Sequence, residues 1–79
     1  MDALDRANEL MQQPMALLPE RAMNYCRHLS NIYGFCGEIM ITALCAYAQI
    51  DEGLSCGDSL YAVKDDDRAE YEKANGERG

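Results

Sequence analysis

The sequence predicts an all-α fold, a small bundle of four to five short helices around one central apolar helix at about residues 37–52. Three observations predict it. The run EIMITALCAYAQI, residues 38–50, has no polar side wide enough to face water as a helix, and only Thr42 and Gln49 interrupt it between Ile39 and Ile50. A helix apolar around its whole circumference is buried on all sides or sits in a membrane. This run is too short for a membrane span, which needs roughly 20 apolar residues. Apolar residues also recur at helical spacing before and after it, with glycines and prolines between those stretches. Leu60–Val63 could pass for a strand, but it has no partner, and a lone strand is unstable.

The elements follow in order. Asp2 or Asp5 can cap a first helix whose apolar positions are Leu4, Ala7, Leu10 and Met11. Pro14 ends or bends it, because proline disfavours helical geometry in the residue before it. Met15–Leu18 is an apolar bridge to Pro19, a good first-turn residue. A second helix then runs to Tyr33, with Ala22, Cys26, Leu29 and Tyr33 along one stripe. Gly34 is placed as a left-handed terminator, with Phe35 closing back onto the last turn. The central helix follows and stops at Gly53. After the loop GLSCGD, a continuous helix from residue 58 to 75 would put Asp67 in the middle of an apolar stripe of Leu60, Val63 and Tyr71. A break near residues 64–66 is therefore expected, with Asp67 capping a short last helix and Glu70 completing a capping box. Residues 1–75 then form one domain, and residues 76–79 a frayed, flexible tail.

Seventy-nine residues leave no room for a second core. A single core of this size rarely supplies more than about 3–5 kcal/mol of net stability, so a dimer or a larger partner is one way to complete burial. The net charge is −7, and it is uneven: residues 1–50 carry five acids and three bases, residues 51–79 nine acids and four bases. Direct nucleic-acid binding is disfavoured, since phosphate neutralisation needs clustered Lys and Arg. A basic protein surface would be attracted instead. The N-terminus has no apolar signal core. With no span either, the expected compartment is the cytoplasm, where Cys26, Cys36, Cys45 and Cys56 stay thiols.

The chemistry-bearing residues make no catalytic constellation. The cysteines are separated by nine, eight and ten residues, without the short knuckles of structural zinc sites. Cys26 and Cys36 have the spacing of disulfide-held helical hairpins, and Cys45 and Cys56 are one residue longer. Gly34 and Gly53, however, break the two pairs, and the would-be turn is the most apolar helix. Buried core thiols are the preferred reading. His28 is the only histidine. Cys26, two positions away, diverges from it by about 200° on a helix, so His28 is expected on a solvated face with Arg21, Asn24 and Arg27. Counting from Asp65, the calcium-loop pattern of alternate oxygens and a sixth-position glycine fails. Gly34-Phe35-Cys36-Gly37 lacks the third glycine and the lysine of a phosphate loop. No enzyme, metal or cofactor is expected.

What remains is a surface. The acids, flanked by tyrosines, form a candidate docking face of Asp58, Tyr61, Asp65, Asp66, Asp67, Glu70, Tyr71 and Glu72. Carboxylates steer a basic partner, and tyrosines suit interfaces because they are large, rigid and polar at the tip. The solvated face that keeps a small protein soluble is the plainer reading of such a charge run. The leading functional expectation is a small non-enzymatic inhibitor or modulator that occludes a basic nucleic-acid-binding surface of a larger protein or nucleoprotein complex. By analogy of size and charge alone, phage inhibitors of host machinery, CRISPR complexes included, are proteins of this kind. Two alternatives stand beside it: a structural homodimer or subunit whose central helix packs across a symmetry axis, and a disulfide-stabilised helical hairpin.

Overall fold

The structure, a computed structural model, describes residues 1–57 and 60–76. Helices α1 (Ala3–Met11), α2 (Glu20–Tyr33), α3 (Gly37–Ile50) and α4 (Asp65–Gly76) follow one another, with a 3-10 turn at Met15–Leu17 between the first two. Among the described residues there is no strand, and no helix is long and apolar enough to cross a membrane. The all-α bundle with a central apolar helix is the fold. The sequence range 37–52 overshoots α3 by two residues, because Asp51 is its C-cap.

Helix α1 is started by Asp2, whose carboxylate accepts the Asp5 backbone N–H at 2.9 Å, so Asp2 and not Asp5 is the cap. Its inner face is Ala3, Ala7 and Leu10, while Met11 lies on the surface at the edge of that face. Pro14 leaves the helical region, and the 3-10 turn carries the chain to a buried Leu18. Pro19 then opens α2, which buries Ala22, Tyr25, Cys26 and Leu29.

Helix α3 lies between α1 and α2 and touches α4 much less. Every residue from Ala43 to Ala48 is buried, and Ile39 to Thr42 are half-buried. The packed surface is made of small side chains: Ala3, Ala7, Ala22, Ala43, Ala46 and Ala48 are all fully inaccessible. Small side chains let the helix axes approach closely, and apolar area removed from water contributes about 25 cal/mol per Å². Among the described residues no charged or polar side chain is buried, and no buried polar atom lacks a partner.

The C-terminal end of α3 is fastened to both neighbours. Asp51 accepts hydrogen bonds from Arg21 and from the Tyr25 hydroxyl, the latter at 2.9 Å. Glu52 takes Arg6 in a two-pronged pair at 2.9 and 3.1 Å, and Arg6 also reaches Glu9 at 2.7 Å. Two acids at a helix C-terminus oppose the helix dipole. Here one guanidinium from α1 and one from α2 compensate them. Gly53, with φ +69°, reverses the chain, and the Leu54 N–H returns to the Ala48 carbonyl at 3.0 Å. Ser55 then accepts the Ala3 N–H at 2.9 Å, tying the loop to the start of α1.

Three sequence expectations are corrected here. Tyr33, expected on the buried stripe of α2, is 68% exposed, and Phe35, expected to fold back on the last turn, is 65% exposed. Tyr33 has the right azimuth but sits on the last turn, where α2 overhangs its neighbours. Gly34 does have positive φ, at +86°, but its ψ of 156° is extended. Only glycine occupies that region readily, and Phe35 after it stays mostly in water at the rim of a shallow groove with Met23 and Ser30 of α2. Finally, α4 begins at Asp65, so Asp67 lies inside the first turn and the expected capping box with Glu70 does not form. Asp65, Asp66 and Asp67 all occupy that turn, where negative charge complements the dipole. Gly76 is the last residue of α4, and residues 77–79 of the expected tail lie outside the described residues.

Leu44→Asp puts an unpaired charge into a site with no solvent access and is expected to abolish cooperative melting followed by circular dichroism. Leu60→Asp, at a side chain 97% exposed, is expected to change stability by less than about 0.5 kcal/mol.

Candidate functional site

Two ends of the bundle differ in kind. The end that carries the α3 C-terminus is closed by the ion pairs described above. The opposite end, where α2 turns into α3, carries large apolar side chains in water: Ile32 at 54% exposure, with Tyr33 and Phe35 beyond it. Helix α4 packs across α2 beside this end, and a groove of about 390 Å³ opens between α2, α3 and α4.

Tyr71 holds α4 in place. Its ring is 7% exposed and lies 5.0 Å from the Tyr25 ring, which in turn meets Tyr47 edge-on at 6.2 Å. Such aromatic pairs contribute about 0.5–1.5 kcal/mol beyond the area they bury. Tyr71, expected on the exposed docking face, is therefore an anchor pointing inward. Its register explains this: on a helix with only one large apolar residue in its described part, that residue takes the buried side. His28 packs edge-on against Tyr71 at 6.3 Å and lies 3.7 Å from Glu70. It is half-buried against α4, not on the fully solvated face expected for it.

The acids are where the sequence placed them in exposure, though not as one cluster with the tyrosines. Asp65, Asp66, Asp67, Glu70 and Glu72 are all exposed. Asp67 and Glu70 line the groove, with Tyr71 between them and the core. The remaining walls are His28, Leu29, Ile32 and Tyr33 from α2 and Ile39 and Thr42 from α3. Thr42 turns its hydroxyl onto the Glu38 carbonyl at 2.8 Å, so the α3 wall presents mainly its methyl group. Tyr61 is half-buried, and its carbonyl accepts from Gln49 Nε2 at 2.8 Å. Asp58 lies outside the described residues.

Gln49 is the residue that sequence reasoning missed. It was read as an interruption of the apolar helix, yet its amide fixes the chain after the loop. Besides the Tyr61 carbonyl it reaches the Cys45 carbonyl at 3.1 Å, and its oxygen accepts the Val63 N–H at 2.9 Å. A polar residue inside an otherwise greasy run is the signal that could have found it, because buried amides must meet donors and acceptors.

The thiols divide. Cys26 and Cys45 are buried, Cys56 is half-buried and Cys36 is exposed, and all four are unpaired. Burial pushes the Cys26 thiol up to about 11. Burial, then the neighbouring Cys56, pushes Cys45 up to about 12. Neither is a thiolate at neutral pH, so neither is an activated nucleophile at that pH. Among the described residues no three His, Cys, Asp or Glu side chains converge as a metal ion would need. Comparison with known proteins finds no matching family model, no matching curated protein and no matching solved structure.

Burial likewise raises the Tyr71 hydroxyl to about 12, with Asp67 adding to the effect. For Cys26, Cys45 and Tyr71 the folded state holds its proton to higher pH than the unfolded chain. The unfolded state therefore loses protons first, and stability falls as pH rises. Urea midpoints are expected to stay flat up to about pH 9 and then to drop between about 9 and 12. Tyr71→Phe should lessen the drop above pH 10.

Proposed function

We propose that this chain is a small non-enzymatic protein that binds a larger partner and inhibits or modulates it by covering a basic surface. The observation that supports this most is the placement of α4. Five exposed carboxylates stand on one helix, against two bases, Arg68 and Lys73, and among the described residues of that helix Tyr71 is the one buried on the bundle. The whole chain carries −7, so its field favours encounter with a positive surface and disfavours phosphate. A nucleic-acid-binding surface of the partner is the natural target, and the mechanism is occlusion: the acids occupy the positions phosphates would take. A phage-type inhibitor of host nucleic-acid machinery, anti-CRISPR proteins among them, is the class in which this reading falls.

The test is an affinity capture of partners from cells, followed by binding measurements with the captured protein. The variant Asp65→Asn/Asp66→Asn/Asp67→Asn, which changes only exposed side chains, should weaken binding at least about tenfold, or 1.4 kcal/mol. Wild-type affinity should also fall steeply with added salt. Unchanged affinity in the triple variant would remove the acidic helix from the mechanism.

One observation favours a second reading, a disulfide-stabilised form. The Cys56 thiol is close enough to Cys45 to help raise its pKa, whereas exposed Cys36 and buried Cys26 lie in different environments. With glutathione disulfide at alkaline pH, where Cys45 gains a thiolate fraction, Cys56 thiolate displaces one glutathione thiolate and Cys45 thiolate then displaces the second. Mass spectrometry after this treatment should show a Cys45–Cys56 bond and an unpaired Cys36. Glutathione left on Cys56 would end this reading.

The homodimer alternative changes shape with the structure. Residues Ala43–Ala48 of α3 are already enclosed within one chain, so a second copy would have to meet the half-buried turns Ile39–Thr42 and the apolar side chains beside them.

A further inference from the structure

We propose that the groove between α2, α3 and α4 is the anchor pocket of the interface: it takes one aliphatic side chain of a basic partner segment, whose Lys or Arg neighbours lie along Asp67 and Glu70. This rests on the protein-binding reading above and names the chemistry of the segment bound.

The shape supports one anchor. At about 390 Å³ the groove sits near the lower end of ligand pockets, which run roughly 300–1,000 Å³. Its inner surfaces are Leu29, Ile39 and the Tyr71 ring, and Ile32 and Tyr33 form the lip. Those two lip residues are large, apolar and more than half exposed. Interface energy concentrates where an aliphatic or aromatic side chain fills a pocket whose rim excludes water. The apolar surface also continues past the lip. Phe35, on the same turn, forms one side of a second shallow groove with Met15 and Met23. A surface that extends on both sides of α2 suits a protein segment better than a small molecule.

The charge says which segment. The carboxylates of Asp67 and Glu70 stand on one wall, and among the described residues the only basic side chain lining the groove is His28, which already faces Glu70. A cation beside the anchor is therefore matched, and an anion is repelled. A second copy of this chain is disfavoured on the same ground, since two chains of −7 each would meet through the same acidic wall. An anchor flanked by Lys or Arg is also what a nucleic-acid-binding surface offers wherever an apolar residue sits among its phosphate contacts.

The test uses synthetic peptides of about 14 residues, long enough to form a helix on binding. One contains Leu and Lys, with leucines on one helical face. A second replaces Leu by Ala, and a third replaces Lys by Glu. Affinities are read by fluorescence anisotropy and contacts by NMR shift mapping on the whole chain. The Leu/Lys peptide should bind with shifts centred on Ile32, Ile39 and Thr42, and the Ala/Lys and Leu/Glu peptides should each bind at least about tenfold more weakly. Ile32→Arg, at an exposed lip position, should weaken Leu/Lys binding by a similar factor with an unchanged circular dichroism spectrum.

Equal binding of the Leu/Lys and Ala/Lys peptides, or insensitivity to Ile32→Arg, would overturn the anchor pocket. The acidic-helix reading would survive that result if the Asp65, Asp66 and Asp67 triple variant still lost affinity, and would fall with it otherwise. Self-association that protects Ile32 and Phe35 would also overturn the proposal, by making a second copy the occupant.

Discussion

The structure depends on the enclosure of Ala43–Ala48 between α1 and α2. Six consecutive residues cannot all be buried on a helix unless neighbours cover every azimuth. The chain solves this with small side chains where helices meet and larger ones, Leu10, Tyr25 and Leu44, where gaps would remain. The arrangement leaves little redundancy. An alanine-rich contact is tight but buries modest area per residue, so the position of each helix along α3 is weakly set by apolar packing alone. The polar contacts at the end of α3 supply what the packing does not. Asp51 and Glu52 each choose one arginine on a different helix, and Gln49 fixes the returning chain. Exposed ion pairs contribute only about 0–1 kcal/mol each. Their effect here is to specify register, not to supply the bulk of stability.

This division of labour makes the bundle polar in the geometric sense. One end is closed by matched charges and a loop hydrogen-bonded to α1. The other end, where α2 turns into α3 through Gly34, has no such closure. There Ile32, Tyr33 and Phe35 stay in water, and α4 reaches α3 only lightly. Ile32, Tyr33 and Phe35 are close together in sequence and more than half exposed beside the groove. Two of the α4 acids, Asp67 and Glu70, line that groove. Steering charge and apolar contact area are thus adjacent.

How much of this the sequence held can be argued residue by residue. The central helix was legible because its pattern has one physical outcome: a helix with no polar face has to be surrounded. The stops at Gly34 and Gly53 were legible because both positions need positive φ. The exposure of Tyr33 was not, since periodicity gives a residue's direction around a helix and not how far the neighbouring helices extend. Tyr71 was misplaced for a related reason. An acidic helix with one tyrosine reads as a solvated face, and only the position of Tyr25 across the interface shows that the ring is the helix's attachment. The start of α4 was misjudged by three residues, since an aspartate suits both a cap and a first turn and all three lie in the first turn. The charge of the candidate site was readable at once. Its groove was not, because Leu29, Ile39, Asp67 and Tyr71 come from three helices and share no local pattern.

The small contact between α4 and the rest of the bundle bears on how such a surface would work. An inhibitor that covers a charged face must match positions on a partner whose lysines and arginines are themselves mobile. A helix attached through one buried ring can adjust its tilt at lower cost than one with a full apolar stripe, because few other contacts have to break. The Tyr71 ring, against Tyr25 and His28, seats α4 on α2. Helices α2 and α3 supply the apolar walls of the groove, and α4 supplies its carboxylates. With one large apolar residue among its described positions, α4 spends that residue on attachment and leaves its five carboxylates in water. Attachment and charge are thus divided between two faces of the same short helix.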